Sequence, residues 1–557
     1  MSYGLLWIEL GVAWVLWLAM IFACLARLRR GFPRGILRLL ASLPPLLFFG
    51  ALAGLAGALK YGVEIEENWF GYFLSLFIVC LVLFVVVYGL ARRSDSTPGA
   101  TIAAGWRRGQ LALAWLGAMA VLSMTLWNMM LVQNQQATTM ELEAGATFSS
   151  LVPPAVPDSE NAAPLYERAF EQIDSDVIIK GKDSPLGDDG VAADDPALVA
   201  LVARRAGTID LLYQAARLPV CRFDKDWSHA SISLMLPELN DLRASALLLQ
   251  AHARLASKDG QFDAAILDIN TMYAVARHVE QEPVLVSALV GNGVESVATQ
   301  TLLEVLPRMT KSEQLNSLTL PDAYDSRRAA VRALRGEACF GLDTFGRMES
   351  GELSFNAIEN ISSHHHSGDT TWAADVVAKF YPVARLFLFA GNMQGYRNYM
   401  DDLRKAASEP YFKSKKDLDD LMGGLLTLKK ESYFNSRMVP ALYRFVENST
   451  RAEIDATAAQ TAVAATRYRF EHGRLPTDLQ ELTPAYLEAV PTDQFDGNSI
   501  RITTRDNDWI IYSVGPDQQD DGGHGQTDTN PPRKTYDFVW KMKIDANVPE
   551  TRPAAAN

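Results

Sequence analysis

The chain has 557 residues and a net charge of −13, which is enough length for roughly three or four domains of about 150 residues. Residues 1–132 hold ten Lys/Arg against five Asp/Glu, so the rest of the chain carries a net charge of −18. This acidity excludes nucleic-acid binding, which needs a basic surface, and does not suit binding to an anionic lipid surface.

Residues 1–132 contain four apolar segments of 21 to 24 residues each. They are Gly4–Ala26, Leu39–Leu59, Trp69–Ala91 and Gly109–Val132. Because about 20 apolar residues in a helix cross a ~30 Å hydrocarbon core, these segments predict a four-helix transmembrane anchor. The loops at 27–38 and 92–108 are rich in arginine, and such loops stay in the cytoplasm. We therefore expect a multi-pass protein of the cytoplasmic (inner) membrane, with both termini and the large domain extracytoplasmic.

Residues 133–160 are predicted to be a linker, polar at first and then rich in proline at Val152–Pro157, which favours an extended spacer. A helical extracytoplasmic domain is expected over 161–446. Asn161 is a plausible helix cap with Pro164 in the first turn, and 181–196 is predicted to be an acidic loop.

Apolar residues at helical spacing predict a helix from Leu239 to Ser257 and a second helix after the break at Lys258–Gln261. A third helix is expected after Pro283. The first pair resembles one tetratricopeptide hairpin, through Ala253, Gly260, Phe262 and Ala265. This resemblance implies a helical scaffold.

Two further features leave alternatives open. The run His364–His366 could bind a transition metal, but three adjacent histidines rarely point at one ion, so a solvated loop is favoured. Cys221 and Cys339 lie in the outer domain, where a disulfide bridge and two buried free thiols are both possible.

Residues 447–545 are predicted to form a small α+β domain, followed by a disordered tail at 546–557. We expect a helix over Asn448–Glu471, strands over Ser499–Thr504 and Trp509–Val514 joined by a hairpin turn, and a last strand near Tyr536–Met542.

Three motifs occur in order in this domain: Tyr468 followed by Gly473-Arg-Leu-Pro-Thr, then Pro491-Thr-Asp-Gln-Phe-Asp-Gly-Asn, then Ser513-Val-Gly-Pro-Asp and Asp521-Gly-Gly. In this order they resemble the globular domain of the major pseudopilins of type II secretion. The layout of the whole chain also resembles that of large multi-pass bacterial envelope proteins.

The pseudopilin resemblance implies that the final acidic loop can hold calcium, a cation that prefers several oxygen ligands. The candidate metal ligands are Asp517, Asp520, Asp521 and Asp528. The alternative is a solvated acidic turn.

No nucleophile elbow, zinc-protease helix or phosphate-binding loop occurs in the sequence, so we expect a protein that is not an enzyme. The prediction is a membrane-anchored scaffold or protein-interaction subunit whose partners are other envelope or membrane proteins. The alternatives are an accessory subunit of a secretion or respiratory membrane complex and an envelope hydrolase without a recognisable motif.

Overall fold

The computed structural model describes residues 135–173, 196–227, 234–350, 393–431, 442–526 and 535–544. The predicted transmembrane segments, almost all of the acidic 181–196 loop, the histidine run and the 546–557 tail lie outside the described residues. None of the described helices has the length and apolar character needed to cross a membrane. The chain divides into two compact units, residues 1–140 with 345–394 and residues 141–344 with 395–557.

The described residues are mostly helical and contain one small sheet, as predicted. The helices are α1 (135–151), α2 (Ala163–Phe170), α3 (Pro196–Arg204), α4 (Ala206–Ala216), α5 (Glu238–Lys258), α6 (Phe262–Val279), α7 (Leu285–Val305), α8 (Ala323–Ser350), α9 (393–407), α10 (Tyr411–Glu431) and α11 (Leu442–His472). The strands are β1 (Arg501–Arg505), β2 (Asp508–Ser513) and β3 (Phe538–Lys543).

Helices α5, α6 and α7 form the centre of the second unit. Each of the three packs against the other two, because their apolar residues recur every three or four positions. Gly260 lies between α5 and α6 with a φ of +74°, a left-handed conformation that glycine adopts without steric strain. The three helices and the break between the first two are therefore confirmed, with the end of α5 within one residue of the prediction.

Helix α11 packs on α7, and about two thirds of its residues are buried. Small residues of α11 allow this close packing, and the hydroxyl groups of its buried threonines form hydrogen bonds within the helix. Thr457, Thr461 and Thr466 each donate to the carbonyl four residues earlier. The helix begins at Leu442, six residues before the predicted start, because Leu442 and Phe445 extend its buried face.

The sheet is antiparallel in the order β1-β2-β3. Asp506 and Asn507 join β1 to β2 with φ values of 51° and 65°, which is the geometry of a tight hairpin turn. The central strand β2 is the most buried and contacts α11, while β3 contacts α7. The strands and the hairpin turn lie within two residues of their predicted positions at each end.

Contacts cross the predicted boundary at residues 446 and 447. The Arg469 guanidinium of α11 donates to the carbonyl oxygens of Leu306, Pro307 and Met309 at 3.0 to 3.2 Å. Arg327 of α8 forms a buried ion pair with Glu453 of α11. Residues on both sides of this boundary therefore belong to one compact unit.

The predicted linker differs from the structure in its first half. Residues 135–151 form α1, and Phe148 is fully buried against the rings of Phe340 and Trp227, at centroid distances of 5.4 and 6.2 Å. Apolar residues at helical spacing among the polar ones explain this helix. Residues 153–157 have no regular secondary structure, as expected for a proline-rich stretch.

Asn161 stabilises the start of α2, although it lies one residue before the cap position. Its side-chain oxygen accepts from the backbone N–H of Ala163 at 3.2 Å and from that of Arg222 at 2.8 Å. Pro164 lies in the first turn of α2. A backbone N–H at this position has no acceptor within the helix, so a proline there costs no helical hydrogen bond.

Candidate functional site

A groove of about 510 Å³ lies between α9 and α10, which are joined by a short turn at residues 408–410. Charged side chains recur along its walls at helical spacing. They are Asp402 and Lys405 on α9, Glu409 in the turn, and Lys413, Asp417 and Asp420 on α10. Ala406, Ser414 and Leu421 add smaller and apolar surface, and the groove reaches Gly424.

Tyr399 is a buried residue of the groove lining that carries a polar group. Its side chain is only 7% exposed, and its hydroxyl has no hydrogen-bond partner among the residues that the structure describes. Burial raises the pKa of Tyr399 to about 12, so the phenol stays neutral at physiological pH. A neutral phenol can donate a hydrogen bond to a ligand or accept one from it.

The α9 wall is fixed by Tyr396, whose side chain is almost completely buried. Its hydroxyl donates to the carbonyl oxygen of Glu337 on α8 at 3.1 Å. Gly341 of α8 leaves room for this ring, since a Cβ there would lie 2.2 Å from the ring carbons. The contact holds the groove face of α9 away from α8.

The α10 wall is fixed by its first two residues. The buried Tyr411 ring packs edge to face on Phe495, with ring centroids 4.9 Å apart. The backbone N–H of Phe412 donates to the carbonyl of Gln494 at 3.0 Å, and Gly497 leaves space for the Phe412 ring. Both walls are therefore attached to the folded unit, which keeps the groove open.

The groove lining has four carboxylates and two ammonium groups. None of these six side chains forms an ion pair with another residue in the described part of the chain. By contrast, Asp401 and Asp419, which precede two of the lining carboxylates, pair with Arg404 and Lys415 at 3.3 and 3.4 Å. Among the described residues, the lining thus presents more negative than positive charge, and none of these charges is paired.

A second polar cluster joins α4, α5 and α6. The fully buried Asp268 accepts from the Tyr213 hydroxyl at 2.6 Å, and its other oxygen lies 2.7 Å from His252 Nδ1. The hydrogen bond to Asp268 raises the pKa of His252. A carboxylate in this position fixes the tautomer and orientation of an imidazole.

The structure places three of the four candidate calcium ligands in one loop after β2. Asp517 is exposed and accepts from the N–H of Gln519 at 3.1 Å. Asp520 accepts from the N–H of Gly522 at 2.9 Å, and its second oxygen lies 3.2 Å from Arg501 Nε. Asp521 is partly buried, and Asp528 lies outside the described residues. An arginine therefore already neutralises one of the candidate ligands.

The loop is held by an aspartate that the sequence did not single out. Asp537 is almost fully buried and accepts from the N–H groups of Asp521 and Gly523 at 3.2 and 2.7 Å. Burial raises the pKa of Asp537. Because Asp537 stands between Tyr536 and Phe538, more than ten residues after the loop residues that it contacts, no local pattern marked this role.

A similar role belongs to Asp493, within the Pro-Thr-Asp part of the second motif. It is fully buried and accepts from the Ser513 hydroxyl at 2.8 Å and from the N–H groups of Phe495 and Val514 at 3.0 Å each. This residue ties the motif's turn to the end of β2.

Within the described ranges, no group of three or more His, Cys, Asp or Glu residues is arranged to hold a metal ion. The histidine run and Asp528 are not among these residues, and calcium in the loop stays a prediction.

Cys221 and Cys339 are both buried free thiols, so of the two alternatives that the sequence left open, the structure shows free thiols and no disulfide bridge between them. Burial raises the pKa of Cys339 to about 11.

No protein-family model matches this chain. Comparisons with curated proteins and with solved structures also found no match. The resemblances of 447–545 to a pseudopilin domain and of residues 253–265 to a tetratricopeptide hairpin therefore rest on their sequence motifs, and both stay predictions.

The acidic groove was not predicted from the sequence. Its signal was present, because Asp402, Lys405 and Glu409 on one side and Lys413, Asp417 and Asp420 on the other recur every three or four residues. Such rows are also typical of ordinary solvated helix faces. Only the packing of α9 beside α10 makes them face one another.

Proposed function

We propose that this protein is a non-enzymatic, membrane-anchored scaffold of the cell envelope that binds a basic segment of another envelope or membrane protein in the groove between α9 and α10. The observation that carries this proposal is the excess of carboxylates around the groove that have no ion-pair partner among the described residues, with the Tyr399 hydroxyl in its lining. The predicted anchor and its orientation complete the proposal by placing the groove outside the cytoplasm.

Charge complementarity supports a basic occupant. A lysine or arginine side chain that enters the groove meets Asp402, Asp417 and Asp420, and the Tyr399 phenol can accept a hydrogen bond from it. The volume of about 510 Å³ lies within the range of ordinary ligand pockets and suits a few side chains of a peptide. The lining contains no imidazole or thiol, which favours binding over nucleophilic catalysis.

The expected affinity is modest. Each exposed ion pair contributes about 0–1 kcal/mol, so several of them with a small apolar surface give a Kd of roughly 1 µM to 1 mM. Such an interaction weakens as salt rises, because exposed charges are screened. Weak binding suits a scaffold that holds a partner already concentrated in the same membrane.

A photo-crosslinking amino acid at position 424 tests the proposal in cells. A Cβ at Gly424 meets no atom within 4 Å, so a side chain fits there without disturbing the helix. We expect one predominant adduct, with a partner whose crosslinked segment is basic. The same substitution at Gly145, which is equally uncrowded, is the control position and should not give that adduct.

Charge variants give the matched comparison. D402N/D420N should abolish the adduct, because both carboxylates line the groove, whereas D401N/D419N should retain it. Both double variants remove the same charge from the same two helices. An adduct that persists in D402N/D420N, or that is lost equally in both, would contradict the proposal. Migration of the native complex far above the 61.4 kDa of the chain would favour the accessory-subunit alternative.

A further inference from the structure

Two buried glutamates lie where the end of α6 packs on α7. Glu280 and Glu295 are only 5% and 4% exposed. Glu280 packs on Gly291, one helical turn before Glu295, and a Cβ at Gly291 would lie 2.6 Å from Glu280 Cγ and 2.9 Å from its Oε1. The glycine thus creates the space that the Glu280 carboxyl group fills.

Neither carboxyl group has an adequate counter-charge. Glu280 Oε1 and Glu295 Oε1 have no hydrogen-bond partner among the described residues. The Ser326 hydroxyl lies 3.4 Å from the other oxygen of Glu295, which is a weak contact. Arg332 is close, but its guanidinium donates to the main-chain carbonyl of Glu280 at 3.0 Å.

Charged side chains of both signs on the surrounding helices act on the two glutamates. The groups that act on the pair are Arg277 from α6, Asp325 and Arg332 from α8, and Asp455 from α11. Asp455 is itself buried and accepts from Trp540 Nε1 at 2.6 Å. Two carboxylates, which add repulsion, and two arginines, which oppose it, therefore surround the pair.

Other buried glutamates of this protein show the contrast. Glu453 receives two hydrogen bonds from the Arg327 guanidinium, and Glu282 lies 2.5 Å from Lys225 Nζ and accepts from Ser287 at 2.7 Å. Each of these two carboxyl groups has a cationic partner within hydrogen-bond distance. An unpaired buried carboxylate is strongly destabilised relative to its neutral acid, and a second one beside it adds repulsion.

We propose that Glu280 and Glu295 form a proton-binding site, which holds at least one proton at neutral pH and makes the packing of α6, α7, α8 and α11 dependent on pH. The ligand is the proton itself. A carboxylic acid is neutral and can donate a hydrogen bond, so one proton removes the repulsion and gives the pair a donor.

The pKa directions agree with this geometry. Burial raises the pKa of Glu280 to about 8, with Asp325 adding to the effect. Burial also raises the pKa of Glu295 well above its usual range, with Glu280 and Asp455 as the next causes. Because both pKa values are raised on folding, the pair stabilises the native state most in acid, and this contribution is lost as pH rises from the ordinary carboxyl pKa of 4.5 through about 8.

The first test uses the full-length protein. Unfolding at neutral pH should release about one proton or more from this pair, since an acid that is protonated in the native state ionises in the unfolded chain. Calorimetric unfolding in buffers of different ionisation enthalpy measures that number. Glu337 and His278 also exchange protons on unfolding, because burial raises the pKa of the first to about 7 and lowers that of the second to about 4. A proton release that is equal in wild type and in E280Q/E295Q would therefore overturn the proposal.

The second test assigns the proton. E280Q and E295Q replace a neutral acid by a neutral amide of the same shape, while E313Q alters an exposed glutamate as control. Infrared difference spectra at neutral pH should lose the carboxylic-acid carbonyl band in E280Q/E295Q and keep it in E313Q. The melting temperature of wild type should fall by several degrees between about pH 6 and about pH 9, and that fall should shrink in the double variant. An unchanged acid band, or pH profiles that run parallel in wild type and E280Q/E295Q, would refute the assignment.

Discussion

At the scale of single residues, the buried charges of this protein fall into paired and unpaired groups. Lys225 is the clearest paired case, since its ammonium lies between Glu238 and Glu282 and under the rings of Phe223 and Trp227. Removing one partner of such a pair leaves a buried charge and commonly costs about 3–5 kcal/mol. The unpaired Glu280 and Glu295 avoid that cost by binding a proton.

Calcium binding is a residue-scale prediction that belongs to the loop after β2. If Asp517 and Asp521 ligate the ion, the full-length protein should melt at a higher temperature with calcium than with chelator. Binding to the native state alone contributes about 2.7 kcal/mol at a hundredfold excess over Kd. Differential scanning fluorimetry with each additive measures the shift.

The variant D517N/D521N should lose the calcium-dependent shift and keep the melting temperature found with chelator. Magnesium should substitute poorly, because it gives up its water ligands reluctantly. Melting that is the same with calcium and with chelator would identify the loop as a solvated acidic turn. Asp520 is not included in the variant because its carboxylate lies beside Arg501.

At the scale of secondary-structure elements, α11 connects the helices to the sheet together with α7. Its two faces contact α7 and β2, and its buried polar side chains reach carbonyls and carboxylates of other elements. Arg469 is the strongest of these connections because one guanidinium supplies donors to three main-chain carbonyls after α7.

Replacing Arg469 therefore has a predictable effect on stability. R469M should lower the free energy of unfolding by about 2–4 kcal/mol, because buried carbonyls lose their donors while the aliphatic part of the side chain is kept. R467M on the exposed face of α11 is the control and should change stability by less than about 0.5 kcal/mol. Urea unfolding of both variants measures the difference. Equal stability of the two variants would show that Arg469 is not a structural connection.

At the scale of the whole molecule, the prediction concerns topology. Single cysteines at positions 94 and 367, in a background without native cysteines, should react differently with a membrane-impermeant maleimide. The arginines at 92, 93, 107 and 108 predict that position 94 is cytoplasmic, so it should react only after lysis. Position 367 should react in intact spheroplasts.

Equal labelling of the two positions in intact spheroplasts would contradict this orientation. Positions 94 and 367 both lie outside the described part of the chain, so a cysteine at either position replaces no residue of the groove or of the described core. The result also bears on the proposed scaffold function, since the groove must face the same side as position 367 to meet an extracytoplasmic partner.

The sequence by itself determined the elements whose causes are local. Apolar spacing predicted α5, α6 and α7, Gly260 predicted the break between the first two, and the Asp506-Asn507 pair predicted the hairpin. These features depend on residues within about one or two helical turns of each other, or on a backbone conformation that few residues adopt. Helix α1 was missed because its few buried positions lie within a polar stretch.

Only the tertiary structure decided which polar side chains face one another. The chain reverses between α6 and α7, which packs the Glu280 side chain on Gly291, one helical turn before Glu295, and Arg469 reaches residues more than 150 positions earlier in the chain. The groove exists because Tyr396 and Tyr411 attach two helices to different parts of the same unit. Burial changes the free energy of a charged group by far more than local secondary-structure propensity contributes per residue. Burial itself depends on neighbours that are distant in sequence.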